Sequence, residues 1–511
     1  MAELTDTGQA GDSPELPAGR PRYARGFESL DQETPAAVEL PVRGALPPWL
    51  DGALLRNGPA KFEAVAPDGT RTPLRHWFDG QAMLHRFAVH GGRVHYTSRY
   101  VDTPGSRAIR EEGRITAREF ATDPCASVFQ RVRTIFRSGA ATTANPLVNV
   151  VRMGEEYAAL TEVPLPVRFD PETLATLGVA GYRDDLRGQV TTAHPHADPA
   201  TGDLVNVLLD FGMRSTYRVY RQRPGSPARE QVAAYRTARP SYLHSFAVTP
   251  HYAVLALFPF RVNPLALLLG GRPFAENFRW EPEAGTDLVV LNLRDGSVRG
   301  VYPTRPLFAF HQINAYEDGE RELVLDLCAY PDAGVVEALY LDRLRSGAPV
   351  PAALPTRIRI DLDSGRVDVA ELSDEPLELP AIDYRRHNGR AYRTVFGAGS
   401  QERSGASAGD FLDQLVRLDT ESGTYKLWRE DGCYPGEPVF VPAPGGESAD
   451  AEAVARAGEG VLLSVVLDSR TERSFLLALD AVEFTELARA EAPAAVPFGF
   501  HGLWQRSGEG G

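Results

Sequence analysis

From Leu40 to the C-terminus the apolar positions fall in short runs rich in Val, Leu, Phe and Tyr, broken by clusters of Asp, Gly, Ser and Asn. Runs of this kind read as strands, because β-branched and aromatic side chains pack well on a pleated surface and the interrupting residues tolerate tight turns. Residues 87–96 (Phe-Ala-Val-His-Gly-Gly-Arg-Val-His-Tyr) read as strand, two-residue turn, strand. The same grammar returns at Phe169-Asp170-Pro171-Glu172-Thr173-Leu174, Leu293-Arg294-Asp295-Gly296-Ser297-Val298, Ile360-Asp361-Leu362-Asp363-Ser364-Gly365 and Leu418-Asp419-Thr420-Glu421-Ser422-Gly423, with a weaker copy from Leu479 to Leu487. The spacing is irregular, so the chain is no strict repeat. Hairpins at such intervals fit the blades of a β-propeller carrying insertions, whereas a β-sandwich would show turn signals every ~8–12 residues throughout. The predicted fold is therefore all-β, with residues 1–22, low in apolar content, as a disordered tail and residues 23–511 as a single propeller domain.

Helical patterns are few. Residues 332–345 place Val335, Val336, Leu339, Tyr340 and Leu344 at helical spacing, and residues 123–136 are a weaker candidate. Pro264-Leu265-Ala266-Leu267-Leu268-Leu269 is an apolar hexamer flanked by Asn263 and Gly270-Gly271. It falls far short of the ~20 apolar residues that cross a bilayer, and reads either as a buried helical turn or as an exposed patch facing a membrane. Its leucines Leu265, Leu267, Leu268 and Leu269 are the membrane-facing candidates.

Composition narrows the partners. The 511 residues carry a net charge of −14, which argues against nucleic acid. The 47 glycines and 40 prolines suit a turn-rich chain. Lys61 and Lys426 are the only lysines, and the arginine bias reads as that of a GC-rich genome. Cys125, Cys328 and Cys433 are too few and too scattered for a disulfide framework or a zinc site of their own, which suits a reducing compartment. No apolar leader or membrane-length run is present, so the expected location is cytoplasmic, with peripheral contact at the inner face of the membrane.

The histidines carry the candidate chemistry. His194-Pro195-His196 precedes an Asp-Pro-x-Thr-Gly turn. On a regular strand both imidazoles would share a face, but the intervening proline holds the backbone extended and points to one inward ring. His244, His311 and His501 likewise sit among aromatic or apolar neighbours, in Tyr242-Leu243-His244-Ser245-Phe246, Phe308-Ala309-Phe310-His311-Gln312 and Phe498-Gly499-Phe500-His501-Gly502. Taken singly, each is more often a satisfied core histidine than a ligand. A propeller, however, brings strands from distant parts of the chain to one axis, so widely spaced ligands become natural.

At these residues the chain resembles the carotenoid cleavage oxygenases. The matching blocks are Leu54-Leu55-Arg56-Asn57-Gly58-Pro59, Phe78-Asp79-Gly80-Gln81-Ala82-Met83-Leu84-His85, the His194 stretch, Asn314-Ala315-Tyr316-Glu317 and Phe498-Gly499-Phe500-His501-Gly502. They occur in family order from about Gly44 to Trp504, and are most similar to the branch holding the β-carotene oxygenases and the retinal pigment epithelium retinoid isomerase. The resemblance implies a seven-bladed propeller with a helical and loop cap over one axial Fe(II) per chain. It implies His194, His244, His311 and His501 as the metal ligands, with His196 and His85 structural. It further implies Glu162, Glu378 and Glu437 behind His244, His311 and His501, and Phe78, Phe120, Thr161, Tyr242 and Tyr340 as pocket positions, Thr161 beside the metal.

Four neutral imidazoles each need a fixed tautomer, and a carboxylate behind a ring takes the Nδ1 hydrogen so that Nε2 faces the metal. The implied reaction is scission of one conjugated C=C of a carotenoid or apocarotenoid by O2 to two carbonyls, for example retinal-type apocarotenoids. Stilbene cleavage of the lignostilbene or resveratrol type is the nearest alternative. It is disfavoured because the lysine that holds a substrate phenol in those members has no counterpart near Thr142-Thr143-Ala144-Asn145. Retinoid isomerisation without O2 and a non-catalytic carotenoid-binding propeller are further alternatives; a scaffold would have no use for four histidines and three glutamates.

Overall fold

The computed structural model describes residues 20–116, 119–122, 145–198, 201–269, 272–401, 411–444 and 459–508. Within them seven antiparallel sheets of four to six strands form the blades of a β-propeller. In chain order, blades two to six run from a first strand at Asn149–Met153, Val190–Thr191 with His196–Ala197, Ala247–Val248, Gln312–Asp318 and Glu378–Ala381 respectively to a fourth strand at Thr176–Val179, Arg229–Thr237, Val298–Thr304, Val367–Glu371 and Tyr425–Trp428.

Blades one and seven are shared between the chain ends. Gly502–Arg506 pairs with Gly52–Lys61 and forms one edge of blade one, while Val42–Gly44 pairs with Glu486–Glu491 and forms one edge of blade seven. Each end of the chain is thus locked into a blade completed by the other end, which closes the ring.

The recurrent turn read from the sequence joins the third and fourth strands of five blades. At Asp170, Asn292, Asp361, Asp419 and Asp480 the side-chain oxygen accepts from the amides two and three residues on. The backbone carbonyl of the same residue accepts from the fifth position. That fifth residue has positive φ: glycine at 296, 365 and 423, but Leu174 (59°) and Phe484 (62°) in the other two. The left-handed conformation costs a leucine or phenylalanine roughly 1–2 kcal/mol. Both side chains are buried, and a buried Leu or Phe recovers about 1.5–3 kcal/mol. The Gly91-Gly92 turn of blade one has φ of 55° and 76°, which two consecutive glycines adopt without strain.

The helical expectation over residues 332–345 changes in detail. Two short helices form, Gly334–Ala338 and Leu341–Ser346, broken at Leu339 and Tyr340. The break is held by another segment: Trp77 N–H donates to Leu339 C=O, Leu341 N–H donates to Arg75 C=O, and His76 forms a bridge with Tyr340. Backbone pairing with residues 75–77 outweighs continuation of the helix. Pro264–Leu269 is a helix with Leu265 exposed and Leu267 partly buried against the core; the side chains of Leu268 and Leu269 lie outside the described residues. The candidate helix at 123–136, Cys125, residues 142–144 and the first nineteen residues of the expected tail also lie outside them. No helix among the described residues is long and apolar enough to cross a membrane.

Candidate metal centre

Every blade delivers one polar residue to the axis. His501 immediately precedes Gly502–Arg506 of blade one, His194 fills the gap between the two short inner strands of blade three, His244 comes three residues before Ala247–Val248 of blade four, and His311 immediately precedes Gln312–Asp318 of blade five. Glu162 follows Glu156–Leu160 of blade two, Glu378 opens Glu378–Ala381 of blade six, and Glu437 sits between Cys433–Pro435 and Val439–Pro442 of blade seven.

The four histidines meet there, each offering one nitrogen within 4.8 Å of the others. His194 Nε2 is 3.1 Å from His244 Nε2, and His311 Nε2 is 3.1 Å from His501 Nε2. Behind them, His244 Nδ1 is 2.7 Å from Glu162, His311 Nδ1 is 2.5 Å from Glu378 and His501 Nδ1 is 2.6 Å from Glu437. A carboxylate only accepts, so these three rings carry hydrogen on Nδ1 and turn the Nε2 lone pair inward. Among the described residues no carboxylate hydrogen-bonds His194. Burial, and then the rings of His501, His244 and His311, push its basicity well below the usual imidazole range. Burial lowers His501 in the same way, against the opposing pull of Glu437.

The residues fit a first-row divalent cation. Nitrogens each about 2.1 Å from one ion lie ~3.0 Å apart across a right angle and ~3.4 Å apart in a tetrahedron. The two 3.1 Å pairs fall in that range. Three inward lone pairs are fixed by the carboxylates behind them, and neutral imidazole is a donor that suits iron as well as zinc, copper or nickel.

The carboxylates are themselves fastened. Tyr242 O–H donates to Glu162 at 2.6 Å and Tyr330 O–H to Glu378 at 3.2 Å. Glu437 receives the Arg56 guanidinium and, at 3.0 Å, Gly502 N–H. Burial works to raise Glu378 and Glu437, but His311 outweighs it at the first, and His501 with Arg56 at the second, so both stay below the usual carboxylate range.

The expected pocket residues are placed as follows. The Phe78 ring stacks 6.2 Å from His244 and lies 5.2 Å from Phe120; it also contacts Phe310 and Phe500, which directly precede His311 and His501. Phe120 is 6.0 Å from Tyr242. Tyr340 reaches this wall through His76, whose ring lies 5.1 Å from Tyr340 and 4.9 Å from Phe120. Thr161 lines a separate small cavity with Thr192 and Pro195, beside the His194 loop. His196 is turned away: Nδ1 is 3.0 Å from Tyr384 O–H and Nε2 donates to Phe246 C=O at 2.7 Å. His85 Nδ1 is 2.8 Å from Tyr96 O–H.

Arg56, Tyr330 and His76 were missed as site residues. Arg56 had a readable signal, since a charge directly after the apolar run Ala53-Leu54-Leu55 must be paired once buried. Tyr330 and His76 had none beyond their residue type.

The family described as retinal pigment epithelial membrane protein matches residues 27–506. A mitochondrial carotenoid-cleaving dioxygenase of Mustela putorius furo is 34% identical over 93% of this chain and 94% of its own length. A β,β-carotene 15,15′-dioxygenase of Mus musculus is 30% identical over 94% of this chain and 91% of its own. Among solved structures, a cobalt-substituted Synechocystis enzyme of the apocarotenoid oxygenase type superposes with a TM-score of 0.81 at 27% identity, covering 95% of this chain and 98% of that one.

Proposed function

The chain belongs to the carotenoid cleavage oxygenase family, and from that premise we propose that it is an Fe(II)-dependent dioxygenase that splits one conjugated C=C bond of a carotenoid or apocarotenoid with O2, giving two carbonyl products. The observation that carries this reading is the convergence of His194, His244, His311 and His501, three of them backed by carboxylates, at the end of an aromatic wall. One ferrous ion held by these nitrogens would supply the activation of dioxygen at a donor set that leaves positions open. Glu162, Glu378 and Glu437 keep their rings in the metal-binding tautomer, so the cage is assembled before the ion arrives.

The polyene is the task of the wall. Phe78 and Phe120 offer π faces along which a flat conjugated chain lies, and Tyr340 extends that surface away from the histidines. Tyr242 commits its hydroxyl to Glu162, which leaves its ring to the apolar side. Which double bond is cut follows from which carbon pair this wall holds beside the histidines, so regioselectivity is a matter of position. Thr161, next to Glu162 in the chain, is assigned to the His194 side of the site, where it lines a small cavity with Thr192 and Pro195.

A substrate that dissolves in bilayers favours an enzyme that rests on one. The exposed Leu265, with Leu267 beneath it, supports peripheral contact through Pro264–Leu269. Stilbene cleavage is the weaker reading, because Lys61 and Lys426 pair with Asp31 and Glu483 and stand free of the aromatic wall.

Protein purified under reducing conditions should hold about one iron per chain and bleach an apocarotenal or β-carotene only when O2 is supplied. Product masses from a panel of carotenoids, apocarotenals and stilbenes would then fix the cleaved bond. Iron-free protein that turns over no polyene after ferrous loading would sink the enzymatic reading.

A further inference from the structure

Three carboxylates stand behind the four histidines, and among the described residues one of them alone is met by a formal positive charge. Glu162 and Glu378 receive neutral donors: a histidine and a tyrosine each, with Leu379 N–H added at Glu378. Glu437 receives His501, Gly502 N–H and the guanidinium of Arg56. Arg56 is only 4% exposed, and its second terminal nitrogen donates to Phe500 C=O at 2.9 Å, so its position is fixed from two sides.

Each carboxylate faces donors and is therefore an anion, and imidazoles that give an Nε2 lone pair to a metal are neutral. The buried set thus carries three negative charges and one positive charge. A dication at the centre cancels the remainder; a trication would leave one positive charge in excess. Charge imbalance is costly where water is absent, because the interior screens poorly.

We propose that Arg56 sets the charge balance of the cage, matching it to a divalent ion and opposing one-electron oxidation of iron held there; this rests on the iron-enzyme reading above. Arg56 touches none of the four rings and acts through Glu437, so it is a positioning residue whose contribution is electrostatic. Without it, three carboxylates match a trivalent ion and Fe(III) becomes the neutral state. Its geometry would also support strand Gly52–Lys61 by hydrogen bonding alone, so the test must separate charge from structure.

The measurement is a mediated redox titration of the iron-loaded protein with ferricyanide, in which one electron passes from Fe(II) to ferricyanide to give Fe(III) and ferrocyanide. High-spin Fe(III) is read by EPR. Arg56→Gln keeps hydrogen-bond donors and removes the charge; it should shift the Fe(III)/Fe(II) equilibrium at least tenfold toward Fe(III), a fall of about 59 mV or more in midpoint. Arg56→Lys keeps the charge without the guanidinium fork and should stay within threefold of wild type. A midpoint unchanged in Arg56→Gln, or lowered equally in Arg56→Lys, would overturn the proposal.

Should Arg56→Gln fail to fold or hold iron, Glu437→Gln and the double variant Arg56→Gln/Glu437→Gln decide instead. The single change removes a negative charge and should favour Fe(II) tenfold; the double change removes one of each sign and should return to the wild-type midpoint. No rise in the first, or no return in the second, contradicts the charge balance. Wild-type protein that takes up no iron would defeat the underlying reading and not this inference from it.

Discussion

Acid should weaken this propeller through two histidines that lie outside the four-histidine cluster. His76 is completely buried; its Nδ1 accepts Phe78 N–H at 3.0 Å and its Nε2 donates to Val336 C=O at 2.9 Å. Burial drives its pKa down to about 4 against the opposing effect of the Val336 carbonyl. Burial, with Arg56 adding, drives His85 to about 3. Both rings stay neutral in the fold at pH values where the unfolded chain takes a proton. Below pH ~6.5 the unfolded state therefore binds more protons, and stability falls as pH falls until the folded pKa is reached. At 1.36 kcal/mol per pH unit, lowering the pH from 7 to 5 costs about 2 kcal/mol for each such ring. Glu119 runs the other way: burial, with Asp79 beside it, raises it to about 8, so it is neutral in the fold and acidification over the same interval restores about 2.5 kcal/mol. The whole-protein curve mixes these effects, and a variant separates them. His76→Gln removes one titration, so its unfolding free energy should fall by about 2 kcal/mol less than that of wild type between pH 7 and 5. Urea unfolding followed by tryptophan fluorescence measures this, with Trp77 next to the altered residue. Loss of hydrogen bonds lowers the variant equally at both pH values and cancels in the difference. Equal pH dependence in the two proteins would refute the argument.

The seam of the ring and the choice of ligand give two more expectations. A Cβ at Gly58 would lie 2.4 Å from the Gly499 Cα, where residues 499–501 cross blade one through the Phe500 N–H to Asn57 C=O and Asn57 N–H to His501 C=O bonds. Gly58→Ala should therefore destabilise by ~1–3 kcal/mol, read as a lowered thermal midpoint, and an unchanged midpoint would mean the seam gives way freely. His311→Ala should lose iron, whereas His196→Ala should keep it, because both His196 nitrogens are committed to Tyr384 and Phe246. Metal analysis showing equal loss in both would move the ligand to the other ring of the His-Pro-His pair.

The fold was more legible in the sequence than the site, and the difference is one of distance. In five blades the third-to-fourth strand turn is specified within five residues: an Asp or Asn whose side chain caps the next amides, then a position with positive φ. Those turns mark five blades directly, and the Gly91-Gly92 hairpin marks a sixth. The split of residues 332–345 into two helices was not legible, because it is imposed by residues 75–77, which no local periodicity can report. The histidines present the same difficulty at larger scale. His194, His244, His311 and His501 follow one another at separations of 50, 67 and 190 residues, and each is locally indistinguishable from a core histidine. Resemblance to the family brought them together; residue type could not.

What neither periodicity nor motif could supply is the partner behind each carboxylate. Glu437 and Arg56 are 381 residues apart and meet only because the chain ends close blades seven and one against each other. The seam that shuts the ring therefore also positions the guanidinium beside Glu437, and with it His501. Ring closure and the electrostatics of the cage are for this reason one structural event: a change that opens the seam at Gly58 and Gly499 should loosen the Glu437 to His501 pair while leaving the Glu162 to His244 and Glu378 to His311 pairs, in other blades, in place.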